Sequence, residues 1–481
     1  MSSSGKHPVP RQALLSALPP PWPSDPFADI QRRVRTSGRK VVVLDDDPTG
    51  TQTVHDLWVL TRWTTQALRF ALAEPSPTFF VLTNSRSLPT KAAVELNREI
   101  ADNLAQVAGE MDCDFDLVSR SDSTLRGHFP AEVDILQARL QSCAGGSHDG
   151  IIVCPFFLEG GRLTAHDIHW VTEGDTLTPA AQTEYAHDAT FGYTKSNLRE
   201  WVEEKTGGRI PATEVWTVSI DVIRKQGPSG VRDILEKAAE GRVIAVNAVS
   251  YQDLAVFVAG LLDAEDRGKR FLFRTAASFV RVRGGIEDRS LLAATDMAEA
   301  TTGARQGGGL ILVGSYVDKT TRQLSAALGL PHISAQELSV RRVLDSADRE
   351  AEIQRVAAEA GRALAAGRES LIYTSRSLVT ERGRAGELGI GQQVSSALVE
   401  VVRRIGVEPR FVIAKGGITA SDVATAGLGV ERAWVLGQIL PGIPVWRLGE
   451  ESRFPGVPYV VFPGNVGDDD SLAKTIHILR A

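Results

Sequence analysis

Short apolar runs that stop at polar or glycine-bearing turns recur along the whole sequence. Early examples are KVVVLDDD (40–47), TFFVLTNSRS (78–87) and FDLVSRSDS (115–123), and late ones are RFVIAKGG (410–417) and PYVVFPGN (458–465). Their apolar residues are continuous instead of alternating, which is typical of strands buried on both faces of a parallel sheet. Amphipathic helical spacings follow several of these runs. The sequence therefore predicts an α/β fold with mainly parallel sheets.

The length of the chain and a break in its pattern predict two domains. A chain of 481 residues exceeds what one compact core usually contains. A charged, glycine-rich stretch between about 278 and 307 interrupts the alternation of strands and helices. We expect an N-terminal α/β domain over 36–290, a C-terminal one over 305–481, and an active-site cleft between them. Residues 1–35 contain PPPWP, which predicts a loosely ordered, proline-rich lead-in.

Charge and composition argue against several classes of partner. The net charge of −6 disfavours nucleic acid, because phosphate backbones attract basic surfaces. No apolar run approaches the ~20 residues that span a bilayer, and the N-terminus lacks a secretory apolar core. The scattered Cys113, Cys143 and Cys154 predict reduced thiols instead of disulfides or zinc ligands. We expect a cytoplasmic protein without a membrane partner; a homodimer stays open, since the sequence identifies no interface.

Three consecutive aspartates, Asp45, Asp46 and Asp47, follow the first apolar run directly. Neighbouring like charges raise one another's pKa and destabilise a fold unless a cation or a reaction uses them. Turn chemistry explains part of the pattern, because Asp before Pro48 with Thr-Gly after it favours a turn. Three carboxylates exceed what a turn requires. We therefore predict that they bind hydroxyl groups, activate one of them, or hold a cation.

Two arginine-bearing turns follow the next predicted strands. Arg86 offers either a bidentate fork for a ligand carboxylate or a partner that neutralises the aspartates. The turn SRSDSTLRG (119–127) precedes a predicted helix, whose free N–H groups and dipole favour an anion. A helix cap with a surface ion pair is the structural alternative. The candidates for binding a ligand with a carboxylate and hydroxyl groups are Arg120, Ser121, Asp122, Ser123, Thr124 and Arg126.

Three turns in the C-terminal half carry small residues at the ends of apolar runs. They are VGSYVDKTT (313–321), AKGGITASD (414–422) and FPGNVGDDDSL (462–472). Small residues let the backbone approach a ligand closely, and GGITASD opens a helical stretch suited to a phosphate. None of the three matches a P-loop or G-x-G-x-x-G. Together they predict a nucleotide site.

A histidine-containing region is a weaker candidate for function. His166, His169 and His187 lack acidic or thiol partners in a metal-binding pattern, so we disfavour a metal site there. The three histidines stay candidates for lining the cleft, and so do Tyr185 and Asp188, which lie in the same polar region.

The two groups of motifs together predict a kinase of small molecules. Carboxylates and arginines in the first half would bind a polyol acid, and the glycine turns in the second half would bind ATP. Phosphoryl transfer requires in-line positioning, charge neutralisation and a group that accepts the hydroxyl proton. An aspartate at the substrate hydroxyl and Mg²⁺ on the phosphates would supply the last two.

Six motifs in this order resemble the four-carbon acid sugar kinase family, long known as a domain of unknown function, with some members labelled type III effector proteins. The motifs are DDDPTGTQ, TNSRSL, SDSTLRG, VGSYVDKT, KGGITASD and PGNVGDDDSL. The resemblance implies an ATP-dependent kinase acting on an acid such as threonate or erythronate. This chain has Asp45 and Pro48 around its two matching aspartates, and Ser119 and Arg120 where the family commonly has lysines. These differences concern the implied substrate pocket.

The resemblance also implies roles for individual residues. Asp46 and Asp47 would face the substrate as the catalytic pair, and which of them is the base stays open. Arg86 would hold the carboxylate of the substrate, and residues 120–123 would bind its remaining polar groups. The implied ATP site consists of Ser315, Gly416, Gly417, Ile418, Thr419 and Gly464.

Two other functions remain open at this point. DDDPTGT fits the D-x-D-x-T pattern of haloacid-dehalogenase-type phosphatases, with Asp45 as nucleophile and Asp47 as general acid. That function leaves SDSTLRG unexplained and separates its first and last motifs by most of the chain. A non-catalytic sugar-acid sensor or effector would keep the substrate pocket with a degraded ATP half, whereas the glycine turns here look intact.

Overall fold

A computed structural model describes residues 7–144, 147–300, 307–315, 317–375 and 384–480. The described chain divides into two compact units. Unit 1 contains the residues up to Gly50 together with Arg62–Asp288. Unit 2 contains Thr51–Thr61 and the residues from Arg289 onwards. The chain therefore enters unit 2 briefly before it completes unit 1.

Strands and helices alternate along most of the described chain. The strands are β1 (Val9–Pro10), β2 (Lys40–Asp45), β3 (Leu57–Leu60), β4 (Thr78–Leu82), β5 (Phe115–Arg120), β6 (Gly150–Cys154), β7 (Arg162–Ala165), β8 (Ile168–Glu173), β9 (Thr176–Pro179), β10 (Trp216–Val218), β11 (Arg242–Val246), β12 (Phe271–Thr275), β13 (Leu310–Val313), β14 (Ile333–Leu338), β15 (Glu369–Thr374), β16 (Val412–Lys415), β17 (Arg432–Leu440), β18 (Ile443–Leu448) and β19 (Pro458–Phe462). The α-helices are α1 (Arg11–Ser16), α2 (Phe27–Thr36), α3 (Thr65–Ala73), α4 (Thr90–Met111), α5 (Ala131–Ala144), α6 (Leu198–Lys205), α7 (Gly227–Leu235), α8 (Tyr251–Glu265), α9 (Ala277–Arg283), α10 (Ala294–Ala300), α11 (Asp318–Leu328), α12 (Val340–Leu344), α13 (Arg349–Ala365), α14 (Arg384–Arg404), α15 (Gly417–Asp422) and α16 (Ser471–Arg480).

Unit 1 is built on a parallel sheet with the strand order β10-β11-β6-β12-β5-β2-β4. Every residue of β2 and β4 is buried, which explains why their sequences are continuously apolar. Helix α8 is buried along most of its length, and α4 buries one apolar stripe, including Ile100 and Leu104. The predicted α/β class with a mainly parallel sheet is confirmed.

A second, antiparallel sheet in unit 1 has the order β1-β9-β8-β7. Strand β1 comes from the proline-rich N-terminal segment. Further along this segment, the Trp22 ring packs so closely on Gly227 that a Cβ there would approach it to 2.5 Å. Arg224 Nη1 donates to the carbonyl of Pro19 at 2.8 Å. The described part of the segment is therefore ordered on unit 1, in contrast to the loose lead-in that its prolines suggested.

Unit 2 is built on a mixed sheet with the order β3-β17-β18-β19-β16-β13-β15-β14. The five strands from β19 to β14 in this order run parallel, and the β3, β17, β18 and β19 neighbours pair antiparallel. Ile311, Ile413 and Val460 from three central strands belong to one buried cluster. Because β19, β16 and β13 are parallel neighbours, their carboxyl ends meet at one edge of the sheet.

The described helices contain no candidate for a membrane span, and the described cysteines form no disulfide. Within the described ranges, no helix combines the length and apolar character that a membrane crossing requires. Cys113 and Cys154 are free thiols, and burial raises the pKa of Cys154 to about 12. The side chain of Cys143 lies outside the described residues.

Candidate active site

Three neighbouring strands bring the N-terminal motifs together in unit 1. Strand β2 lies between β4 and β5, and Asp45 is aligned with Leu82 on one side and Arg120 on the other. The residues that follow these positions emerge at one edge of the sheet, where ligands usually bind in open α/β sheets. The DDD, TNSRS and SDSTLRG motifs therefore form one site.

Asp45 is buried beneath the turn that follows it. The residue is 2% exposed, and its Oδ1 accepts a hydrogen bond from Arg120 Nη1 at 3.1 Å. A Cβ on Gly50 would lie 1.9 Å from Asp45 Oδ2, so only glycine lets the backbone cross this carboxylate. Burial raises the pKa of Asp45 to about 7, against the lowering effect of Arg120. The side chain supports the turn and is covered by it.

Asp46 has one carboxylate oxygen that receives no hydrogen bond from the described part of the chain. Its Oδ2 accepts from Ser121 Oγ at 3.1 Å, whereas its buried Oδ1 has no hydrogen-bond partner among the described residues. The guanidinium groups of Arg86 and Arg120 each approach Oδ1 to 3.9 Å. Burial raises the pKa of Asp46 despite both arginines. A Cβ on Gly127 would lie 3.3 Å from Oδ2, so this glycine limits crowding around the carboxylate.

Asp47, in contrast, is fully engaged by the protein. Its Oδ1 accepts from the backbone N–H and the hydroxyl of Thr49, and its Oδ2 accepts from Arg86 Nη2. Burial would raise the pKa of Asp47, but Arg86 and Thr49 together lower it below the ordinary value. Arg86 also pairs with Asp46 at 3.9 Å and with Asp122 at 3.3 Å. One guanidinium is thus shared among three carboxylates.

The loop of residues 122–126 is organised by its own charged side chains. Asp122 Oδ2 accepts from Arg126 Nε at 2.8 Å and from the hydroxyl of Thr124. Burial opposes ionisation, but Arg86 and Arg126 hold the pKa of Asp122 well below its usual range. Ser123 and Thr124 are buried. The predicted site residues Arg120, Ser121, Asp122, Ser123 and Arg126 therefore lie together with the aspartates.

Three side chains hold the carbonyl groups of the loop. The sequence did not single out Arg274 or Tyr193, and it offered His169 only as a candidate for lining the cleft. Arg274 donates to the carbonyls of Asp122 and Arg126, at 3.3 and 2.9 Å. His169 Nε2 lies 2.7 Å from the carbonyl of Ser123, and Tyr193 Oη donates to the carbonyl of Thr124 at 2.7 Å. A carbonyl can only accept, so His169 carries its proton on Nε2. An arginine inside the apolar run FLFRT was the available signal for Arg274.

A further buried acid contacts Ser85, next to Arg86 in the chain. Glu132 is 4% exposed, and its Oε1 accepts from the hydroxyl of Ser85 and from Asn97 Nδ2. Burial, reinforced by the charge of Asp46, raises the pKa of Glu132 to about 7. Glu132 is therefore held more readily in its neutral form than an exposed glutamate.

In unit 2, three glycine-bearing turns meet at the ends of β13, β16 and β19. Thr320 Oγ1 donates to the carbonyl of Gly464 at 2.8 Å and lies 3.2 Å from Ser315 Oγ. A Cβ on Gly464 would lie 3.0 Å from Ser315 Oγ. Gly416 has φ of 120°, which L side chains rarely adopt, and a Cβ there would lie 3.2 Å from Ser315 Cβ and 3.3 Å from Thr419 Oγ1. The structure thus brings Ser315, Gly416, Thr419 and Gly464 together.

The same edge of unit 2 carries exposed apolar side chains. Ile418 is 61% exposed and Val317 is 43% exposed, while Gly417 begins α15 beside Ile418. The buried Lys415 donates from Nζ to the carbonyl of Pro463 at 2.9 Å, which holds the β19 turn. Backbone turns next to exposed apolar groups suit a ligand with a phosphate chain and a flat ring.

The structure offers little support for a protein-held metal ion. His166 and His187 are exposed, and His169 is buried in contact with Thr164 and Ser123. Burial lowers the pKa of His169 to about 4. Throughout the part of the chain that is described, no group of three or more His, Cys, Asp or Glu side chains is placed to hold a metal ion.

Two domain families match this chain and together define its class. A sugar-binding N-terminal domain matches residues 41–283, and a nucleotide-binding C-terminal domain matches residues 310–472. The class is thus a two-domain α/β protein with one domain of each kind. The chain belongs to the four-carbon acid sugar kinase family.

Individual relatives agree with this family at low identity. A D-threonate kinase of Bordetella bronchiseptica is 25% identical over 454 residues, which cover 92% of this chain and 98% of that protein. A 3-oxo-isoapionate kinase of Paraburkholderia graminis is 27% identical over 247 residues, or 47% of this chain, and the match spans half the length of that protein. A crystal structure from Salmonella typhimurium LT2 shares the fold with a TM-score of 0.66 and 17% identity, covering 90% of this chain and 98% of that one.

Proposed function

We propose that this protein is an ATP-dependent kinase that phosphorylates a hydroxyl group of a small sugar acid such as threonate, erythronate or a close relative. The sugar-binding and nucleotide-binding domain families and the two kinase-named relatives support this proposal. The observation that carries it is the buried Asp46 Oδ1, which has no hydrogen-bond partner among the described residues. A substrate hydroxyl that donates to this oxygen would complete the site.

Asp46 is the better candidate for the base of the catalytic pair. Both oxygens of Asp47 already accept hydrogen bonds, from Thr49 and Arg86, and its pKa is lowered below the ordinary value, against the raising effect of burial. Asp46 keeps one oxygen available, and burial raises its pKa. An acceptor with a raised pKa takes a proton from an attacking hydroxyl more readily. We therefore assign Asp47 the role of orienting Arg86.

The proposed reaction is a single in-line displacement. The substrate hydroxyl donates to Asp46 Oδ1, and its oxygen attacks the γ-phosphorus of ATP as the bond to the β-phosphate oxygen breaks. The phosphorylated acid and ADP are the products, and the proton passes to Asp46 and then to solvent. Arg86 and Arg120 compensate the charge that Asp46 carries before it accepts the proton.

The ATP site is assigned to unit 2. Gly416 and Gly464 both lie against the Ser315 side chain, and neither glycine has a side chain of its own to hinder the approach of phosphate oxygens to the backbone N–H groups. The exposed Ile418 and Val317 supply apolar surface for the base.

Mg²⁺ is expected to arrive on ATP. The ion usually keeps several waters and takes one or two carboxylates together with phosphate oxygens. The described residues do not form a metal cage of their own. When it is bound, Mg²⁺ neutralises charge on the β- and γ-phosphates.

The geometry disfavours the phosphatase alternative. That mechanism requires Asp45 to act as the nucleophile. Asp45 is 2% exposed, is held by Arg120, and lies in contact with Gly50 of the covering turn. A phosphoryl group could reach it only if the turn opened.

A coupled ADP-release assay tests the proposed function. Wild-type protein would be mixed with ATP, Mg²⁺ and a panel of four- to six-carbon sugar acids that includes threonate, erythronate and 3-oxo-isoapionate. We expect ADP release with one or a few acids, and no phosphate release when phosphate monoesters are offered instead. Acid binding by calorimetry with no ADP release would favour the non-catalytic sensor, and phosphate release from monoesters would favour the phosphatase.

The Asp46→Asn variant tests the assignment of the base. Since general-base catalysis contributes about 10²- to 10⁴-fold, kcat should fall by that amount while the acid still binds. Asp47→Asn is the matched variant, and it should lose less kcat than Asp46→Asn, because Asp47 orients Arg86 and does not accept the proton. A loss of kcat confined to Asp47→Asn would reverse the two roles.

A further inference from the structure

The arginines around the 122–126 loop differ in whether a carboxylate compensates them. Arg86 and Arg120 pair with the DDD aspartates, and Arg126 pairs with Asp122 at 2.8 Å and Asp188 at 3.7 Å. Arg162, at the start of β7, has no carboxylate in ion-pair contact within the described ranges. A cation without a counter-ion beside a ligand-binding loop points to an anionic ligand.

The hydrogen bonds of Arg162 leave part of its guanidinium available. Its Nη1 donates to the carbonyl of Gly160 and its Nη2 donates to Tyr185 Oη at 3.3 Å. Its Nε is buried and has no hydrogen-bond partner among the described residues. Arg274 also lacks a carboxylate in ion-pair contact within that part of the chain, but it is 1% exposed and donates to two carbonyls. Arg162 is only partly buried, so a ligand can reach it.

Tyr185 joins Arg162 to the loop. The Arg162 guanidinium lies 5.5 Å from the centre of the Tyr185 ring, and that of Arg126 lies 5.2 Å from the same centre. Cation–π contact favours each guanidinium, but the two like charges repel one another. An anion next to this ring would reduce that repulsion.

Arg162 also lies within electrostatic range of the side chains that hold the loop. Burial is the main cause that lowers the pKa of His169 to about 4, and the charge of Arg162 contributes to it. His169 contacts the carbonyl of Ser123. Arg162 therefore belongs to the surroundings of the loop.

We propose that Arg162, supported by the Tyr185 ring, binds the carboxylate of the sugar acid. This inference rests on the proposed kinase function and specifies how its substrate is oriented. The acidic side of the site, at Asp46, receives the hydroxyl group, and the Arg162–Tyr185 side receives the carboxylate. Arg86 is poorly suited to the carboxylate because three aspartates already share its guanidinium.

Steady-state kinetics of Arg162→Met tests this assignment. A hydrogen-bonded charge pair contributes enough binding to raise the KM for the acid about 10- to 100-fold when it is lost, with kcat and the KM for ATP unchanged. Arg162→Lys keeps the positive charge but loses the bidentate guanidinium, so its KM for the acid should lie between those of wild type and Arg162→Met. Arg242→Met is the matched control, because Arg242 also lies over an aromatic ring, Trp216 at 5.6 Å.

A neutral polyol of the same length separates carboxylate binding from a structural role. Wild type should prefer the acid strongly, and Arg162→Met should lose most of that preference. An unchanged KM in the variant, or an equal loss for acid and polyol, overturns the assignment. If wild type binds acids in calorimetry without forming ADP, the kinase proposal fails, and the same Arg162 variants compared by calorimetry still decide carboxylate binding. Wild type that binds no acid overturns both.

Discussion

The two candidate sites are prepared for their ligands by different parts of the polypeptide. In unit 1 the site consists of ionised side chains, with Arg86 shared among three aspartates and Arg274 holding loop carbonyls. In unit 2 it consists of closely packed turns in which a Cβ on Gly416 or Gly464 would lie 3.2 or 3.0 Å from the Ser315 side chain. A short polyhydroxy acid must be distinguished from similar molecules by directed hydrogen bonds, whereas any phosphate chain can be bound by backbone N–H groups.

This difference has a consequence for stability. Buried charges are tolerated only while their partners are present, so the unit 1 site should be coupled strongly to folding. Backbone turns carry no such requirement for ionised partners. Substitutions in unit 2 should therefore affect activity more than stability.

The largest effect is expected for Gly417→Asp, which breaks the backbone site alone. A carboxylate at the first residue of α15 would repel phosphate oxygens, so ATP-dependent activity should fall about 10³-fold or more. Calorimetry should show that sugar-acid binding is retained. The matched control is Gly406→Asp, at an exposed position where an added Cβ meets nothing within 4 Å. Equal loss in both variants would mean a general effect of the added charge.

The next largest effect is expected for Arg86→Met, which breaks the side-chain site. The substitution leaves the buried Asp46 and the partly buried Asp47 and Asp122 without their shared cation, so the free energy of unfolding should fall by about 3–5 kcal/mol. Urea denaturation measures this change. The double variant Arg86→Met/Asp47→Asn should recover part of the stability that Arg86→Met loses. Arg98→Met, which removes an exposed pair with Glu95, should cost less than about 1 kcal/mol. A similarly small loss of stability for Arg86→Met would contradict the expectation that the charges of the unit 1 site are coupled strongly to folding.

The smallest effect is expected for Glu132→Gln and depends on pH. Because the folded pKa of Glu132 is raised from 4.5 to about 7, its contribution to stability is present below pH 4.5 and lost as pH rises through about 7. The variant should therefore match wild type near pH 4.5 and exceed it at pH 8 by on the order of 1–3 kcal/mol. Denaturation at both pH values checks this, with the exposed Glu95→Gln as control. If the difference in stability between Glu132→Gln and wild type is equal at both pH values, Glu132 does not titrate between them.

Much of the fold and part of the site could be predicted from sequence. Continuous apolar runs such as the one before Asp45 predict buried parallel strands, and parallel strands direct the residues after them to one edge. This is why Arg86, Asp122 and the DDD aspartates could be grouped before any coordinates were known. The roles proposed for these residues stay predictions.

The side chains that hold the 122–126 loop in place could not be predicted in the same way. Arg274, His169 and Tyr193 come from β12, from β8 and from a loop, and only long-range packing brings them to the 122–126 loop. The division between Asp46 and Asp47 also needs coordinates, because adjacent aspartates look alike in sequence. Their difference arises from which oxygens Thr49, Ser121 and Arg86 reach.

The assignment of Thr51–Thr61 to unit 2 bears on any attempt to produce the units separately. Strand β3 lies in this segment and pairs with β17, and Thr51 Oγ1 accepts from Trp446 Nε1 at 3.0 Å. A fragment that ends near residue 288 would keep β3 but lose β17, and would expose an unpaired strand edge prone to aggregation. A clean dissection must therefore replace residues 51–61 with a polar linker, and the excised strand must be returned to the C-terminal fragment.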